Sequence, residues 1–290
     1  MKIILSRKGF DSANGGYPSP ILPDGRLISL PIPQNDERKY SELEFDGSTL
    51  RNKGLKSEIN NYYDLMNELE ITEIRVPKKD KHQPLTKETT CHLDPDIYRG
   101  IVDRCENWRP LFGQRKSAQG HLDKQDIKGD DIFLFFGWFK ETEIARGGKL
   151  RFKKNAPDLH IIFGYFQIGT IIKSREELEE WMEYHPHCNY KEGWAKNNTL
   201  YVARKKLSWN PSLPGANMFN RGIILTADRQ PKKSIWRIPV LKGKKISFHN
   251  ESSWIGDLFK SAPIGQEFVV NANKEIENWA KKLIEENVIL

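Results

Sequence analysis

The sequence predicts an α+β fold: a bent, mostly antiparallel sheet or partly open β-barrel with flanking helices and a long ordered amino-terminal loop. Three observations point to it. Two aromatic, apolar runs, Ile132 to Phe139 and His160 to Ile172, read as buried strands, and Gly137, Gly164 and Gly169 would let them bend sharply. Amphipathic helical patterns flank these runs. From Ser6 to Pro33 glycine and proline crowd a stretch that has neither a helical nor a strand period, so turns follow one another closely.

In chain order, Lys2 to Leu5 reads as a short strand leading into that loop. Phe10, Ile21, Leu22, Leu27, Leu30 and Ile32 give the loop apolar anchors, so it is expected to be ordered. Leu55, Ile59, Tyr62, Tyr63 and Met66 recur at helical spacing and predict a helix over Leu55 to Leu69. The lysine-rich stretch around Pro77 to Lys87 reads as exposed and is the only candidate boundary. Asp94 followed by Pro95 reads as the start of a helix carrying Ile97, Ile101, Val102 and Cys105 on one face. Ser174 with Glu177 forms a capping box that predicts a second helix bearing Leu178, Trp181 and Met182. Thr199 to Ala203, Gly222 to Leu225 and Ser234 to Ile238 read as further short strands. A closing helix near Lys274 to Asn287 places Ile276, Trp279, Ala280, Leu283 and Ile284 on one stripe. No internal repeat is present, and residues 1–290 read as one domain, with a motif region over 1–75 and a barrel-like core over 88–290.

The 290 residues are 38% hydrophobic and 29% charged, which excludes a disordered chain, a collagen and a disulfide scaffold. The net charge of +7 favours phosphate-bearing partners without naming one. No signal peptide and no membrane span are expected, so the reading is cytoplasmic, with no membrane partner. Three widely spaced cysteines fit reduced thiols, and the sequons at Asn197 and Asn250 are taken as chance.

Four segments carry chemistry-bearing side chains. In the amino-terminal loop Ser6, Arg7, Lys8, Asp11, Asn14, Ser19, Asp24 and Arg26 lie among glycines whose amides are approachable, a combination suited to phosphate. Neither a Walker nor a Rossmann glycine pattern occurs. In His92-Leu93-Asp94-Pro95-Asp96, Asp94 has a sufficient role as a cap, leaving His92 as an acid/base or a ligand. Gln114, Arg115, Lys116, Gln119 and His121 precede the strongest strand, where amides can read base edges and cations can hold phosphate. Finally, His185-Pro186-His187-Cys188 invites a zinc reading, with Cys91 and His92 as further ligands. Its spacing matches no recognised zinc motif, so no metal is expected and the segment reads as a helix-ending loop in which one histidine faces a pocket.

Taken together, SRKGFDSANGGYPSPILPDGRLISLPIP, HLDPD, the GQ…AQGHL segment, GDDIFLFFGWF and the late GQEFVV resemble the family described as nucleotide modification associated domain, type three, over nearly the whole chain. The resemblance implies DNA base modification, in the phage and bacterial systems where such proteins occur. The two bent strands are also similar to small barrels of the PUA, ASCH and EVE kind, which bind bases in a pocket.

Two functions follow as expectations. One is an enzyme altering a nucleobase or nucleotide, with Asp11, Asp24, His92 and His121 moving protons and Ser6, Arg7, Lys8, Ser19, Gln114, Arg115, Gln119 and His160 holding substrate. The other is a reader that binds a modified base, nucleotide or nucleic acid without turnover. Either takes DNA or a nucleotide as ligand. The sequence specifies no cofactor and no protein partner.

Overall fold

The computed structural model describes residues 1–76, 82–188, 194–263 and 267–289. Nine strands form its main sheet: β1 (Lys2–Arg7), β2 (Ser19–Ile21), β3 (Leu111–Gln114), β4 (Ile132–Ile144), β5 (Leu150–Phe152), β6 (Leu159–Ile172), β7 (Thr199–Ala203), β8 (Ala216–Ile224) and β9 (Glu267–Asn271). Their order along the sheet is β9-β1-β4-β6-β7-β3; β2 and β5 pair with the far half of β4, and β8 pairs with β6. Only β1 and β2 run parallel to β4; the remaining pairings are antiparallel. The fold is therefore α+β with a mostly antiparallel sheet.

Residues alternate between the two faces of β1 and β4, as strand geometry requires. Ile3, Leu5, Ile132, Leu134 and Phe136 enter one apolar cluster, while Ile4, Phe133 and Phe135 enter another. The first cluster is closed by helix α4 (Lys274–Asn287), whose stripe of Ile276, Ala280, Leu283 and Ile284 is buried and whose first turn is capped by Asn273. The second is aromatic: Phe112, Phe133, Phe135, Phe166 and Tyr201 pack ring against ring. A third cluster lies under the amino-terminal region and the short helices α1 (Ser48–Asn52) and α2 (Tyr62–Glu68).

The expected bends occur at the glycines of β6. Its register slips against β4 and β8 between Ile162 and Gly164, and against β7 between Ile168 and Thr170. The sheet curls far enough that its two ends touch by side chains: Gln114 Nε2 of β3 donates to Glu267 Oε1 of β9 over 2.7 Å. Helix α3 (Lys116–Lys124) lies beside this gap, with Leu122 in the aromatic cluster and Gln119 accepting from Tyr201. No backbone ladder joins β3 to β9 among the described residues, so the strands form no closed barrel. The expected likeness to PUA-type barrels is not confirmed.

Several expected elements are corrected. Asp94 starts no helix, because Asp96 instead exchanges backbone hydrogen bonds with Leu111, and only a short 3-10 turn at Arg99–Ile101 follows. The segment after Ser174 holds two 3-10 turns, Arg175–Glu177 and Glu180–Met182, and Ser174 makes no side-chain cap. The helix expected from Leu55 begins only after Asn61, whose side chain accepts from Asp64 N. The strand expected from Gly222 is longer at its start, and the one expected from Ser234 is reduced to Ile235–Trp236. Part of the lysine-rich stretch, 77–81, lies outside the described residues.

Candidate functional site

A polar cleft opens where the chain leaves β1. Lys8 N still donates to Phe136 O, and a Cβ on Gly137 would stand only 2.8 Å from Lys8 O, so glycine there is what lets the chain pass over β4. Gly9 then turns the backbone with a φ of +77°, a conformation that favours glycine. Arg7, Lys8, Asp11 and Asn14 make one wall, Gln34, His92 and Asp94 a second, and Gln114, Arg115 and His187 a third, around a cavity of about 140 Å³.

The histidine wall is assembled from three distant segments. His92 is held by pairing of Cys91–His92 with Ile32–Pro33, and its Nδ1 bonds the Asp36 carboxylate, which the Gln34 amide also contacts. Asp94 Oδ1 accepts from Gly113 N over 2.7 Å. His185 Nε2 sits 3.4 Å from the same oxygen without the alignment of a hydrogen bond, and His187 Nε2 lies 4.0 Å from Asp94 Oδ2. His187 Nδ1 bonds Asn198 Oδ1 over 2.9 Å, and Asn198 Nδ2 donates back to His187 O. The ring rests on Gly113, where a Cβ would come within 2.1 Å of it.

Burial opposes ionisation of Asp94, but His185, His187 and Lys8 outweigh it and hold the carboxyl below its ordinary range. Burial also pushes the His187 imidazolium down to about 3, with Asp94 opposing that shift and His92 and His185 adding to it. At neutral pH the wall thus presents an anion beside a neutral imidazole. His92, Asp94 and His187 each offer one ligand atom, all within 4.8 Å of one another, the one such group of three found among the described residues.

Opposite, Glu267 is buried and organises the cations. Its carboxylate receives Lys8 Nζ at 3.2 Å, Gln114 Nε2 at 2.7 Å and Ser6 Oγ at 3.4 Å. Lys8 Nζ also stands 4.4 Å from the centre of the Phe112 ring. The Arg7 guanidinium donates to the carbonyls of Ala262 and Pro263, and its Nε is buried without an acceptor among the described residues. Burial lowers its pKa, while Asp11 and Glu267 work in the other direction. The Asp11 carboxylate is engaged by its own turn, accepting from Ala13 N, Asn14 N and Asn14 Nδ2.

A larger cavity of about 360 Å³ shares Gly9 and Asp94 with the cleft. Phe45, Tyr62, Tyr98 and Phe163 give it aromatic walls, and Asn60 and Asp46 give it polar groups. Its volume falls within the range of pockets that enclose small organic ligands.

The structure brings six of the sequence-predicted residues to the cleft: Arg7, Lys8, Asp11, His92, Gln114 and Arg115. Ser6 lies beneath it on Glu267. The others are elsewhere. Ser19 is buried and accepts from Leu30 N; Asp24 is paired with Arg26 and Thr49. Gln119 is consumed by Tyr201 and Asp123, and His121 packs on Phe248 and bonds Ser247. His160 is enclosed by Phe136 and Trp236, accepting at Nδ1 from the indole. Cys91 and Cys188 are buried among apolar side chains, and Cys105 is exposed.

Asp94 caps no helix and accepts instead from Gly113 N, and Asp36, Glu267 and Asn198 have no local sequence signal. A family model for nucleotide modification associated domain 3 matches residues 2–271. The chain belongs to this family. The match takes in every wall of the cleft, and it supports a role in nucleotide modification systems and a nucleotide-related ligand. No curated protein and no solved structure matches the chain significantly. No helix among the described residues is long and apolar enough to cross a membrane.

Proposed function

We propose that this member of the family is an enzyme that modifies a nucleobase or nucleotide, with the cleft as its active site. The observation that carries the reading is convergence: Arg7, Lys8, Gln114 and Arg115 line one small cavity together with His92, Asp94 and His187, and an aromatic cavity adjoins it. Cations and amides suit a phosphate and its sugar, and aromatic walls suit a base, which an enzyme acting on duplex DNA must first flip out. The reacting group then meets the histidine wall, where a neutral imidazole beside a carboxylate can relay a proton or hold an ion.

The test is calorimetric titration of the full chain with each deoxynucleoside monophosphate and with a short single-stranded DNA, followed by mass analysis of nucleosides after incubation in cell extract. The reading expects binding that Arg115→Glu weakens at least about tenfold and a nucleoside mass change that Asp94→Asn abolishes. Binding without any mass change would make the protein a reader. Absence of binding to every nucleotide and to DNA would overturn the nucleotide reading.

A further inference from the structure

We propose that His92, Asp94 and His187 bind one divalent transition-metal ion of the zinc, cobalt(II) or iron(II) class. The inference goes beyond the nucleotide reading and stands on separate observations.

The first is spacing. Two donors at about 2.1 Å from one ion in a tetrahedral site lie about 3.4 Å apart. His187 Nε2 and Asp94 Oδ2 are 4.0 Å apart, and all three ligand atoms lie within 4.8 Å of one another. Holding an ion would draw the widest pair together by about 1.4 Å at most, a movement shared between two side chains.

The second is the arrangement outside the ligands. Metal-binding histidines almost always donate their other ring N–H to a carboxylate, carbonyl or water, which fixes the tautomer and aims the lone pair at the ion. Here the Nδ1 of His92 bonds the Asp36 carboxylate and that of His187 bonds the Asn198 amide oxygen. Both rings are thereby set to offer Nε2. The carboxylate ligand is likewise anchored, through the hydrogen bond from Gly113 N.

The third is charge. The cations of the cleft, Arg7, Lys8 and Arg115, face Asp11 and Asp94, with Glu267 on Lys8 and Asp36 on His92. Among the described residues these carboxylates offset much of the positive charge, and a divalent ion would restore it and strengthen the hold of the cleft on an anionic substrate.

Two imidazoles and one carboxylate select a borderline ion over magnesium or calcium, which prefer all-oxygen shells. The three protein ligands line a cavity of about 140 Å³, which leaves room for a further ligand, as catalytic rather than structural sites do.

The experiment is titration of the chelator-stripped full chain with cobalt(II), read as visible d–d absorption, and its displacement by zinc(II). One equivalent per chain is expected. His92→Ala and His187→Ala should each abolish uptake, and His82→Ala, at an exposed histidine paired with Glu73, should leave it unchanged. Should the alanine variants fail to fold by circular dichroism, Asp36→Asn decides: a ten- to hundredfold loss of cobalt affinity is expected, and unchanged affinity overturns the site. A folded wild-type chain that takes up no cobalt overturns it directly, as does uptake that survives both alanine substitutions. Cobalt uptake without nucleotide binding would remove the nucleotide reading and leave this site; the reverse result would remove this site alone.

Discussion

His187 and His160 are both buried, and burial pushes both imidazolium pKa values down to about 3, yet they do different work. His160 is boxed by Phe136 and Trp236, and its Nδ1 accepts the indole N–H, so the ring completes a core. His187 is tied at Nδ1 to Asn198, and its Nε2 is turned toward Asp94 and a cavity. Burial and a shifted pKa do not distinguish the two. What separates them is where the second nitrogen points and whether room and a charge wait there.

The contrast can be broken from either side, and the largest effect should come from beneath the cleft. Glu267→Leu leaves Lys8 buried beside Phe112 without its carboxylate and should destabilise the chain by about 3–5 kcal/mol in urea unfolding. A loss below about 1 kcal/mol would mean that Lys8 reaches solvent.

Gly113→Ala should come next, because the added methyl meets the His187 ring. An overpacking cost of about 1–3 kcal/mol is expected, together with at least about tenfold weaker cobalt binding, a factor worth 1.4 kcal/mol. Its counterpart is Trp236→Phe, which leaves His160 Nδ1 without a donor for a similar cost of about 1–3 kcal/mol but with cobalt and nucleotide binding unchanged. If Trp236→Phe abolished ligand binding in a folded chain, the separation of the two regions would be wrong.

The pH dependence sharpens the same point. The His160 ring protonates near 6.5 when unfolded and near 3 when folded, so between those values only the unfolded chain takes the proton. Its contribution to stability is complete above pH 6.5 and is lost as the pH falls toward 3. His160→Gln should therefore flatten the stability profile across that window, by up to about 1.4 kcal/mol per pH unit. The smallest effect is expected at Asp24→Asn, a partly exposed pair with Arg26, which should cost about 1 kcal/mol or less and leave ligand binding intact.

Much of the sheet was legible because its signals are local. The aromatic runs of β4 and β6 announce buried strands, the glycines at 164 and 169 mark the places where register slips, and the stripe of α4 predicts the face it buries. Local signals failed where a distant group claimed the same atom. Asp94 has the sequence of a helix cap, but its carboxylate is taken by the amide of Gly113, 19 residues on.

The site divides along the same line. Arg7, Lys8, His92, Gln114 and Arg115 were recognisable from residue type among glycines and turns. The partners that hold them in place were not, since Glu267 lies 259 residues from Lys8 and Asp36 lies 56 from His92. His121, Gln119 and Asp24 offered equally suggestive chemistry, and each is satisfied by neighbours that only the fold supplies.

The most direct test of this account is the histidine side-chain nitrogen spectrum of the ¹⁵N-labelled full chain, recorded before and after one equivalent of zinc(II). The account predicts that the ring signals of His92 and His187 shift while those of His160 and His121 stay in place. Movement of His160 or His121 with His92 and His187 unchanged would contradict it.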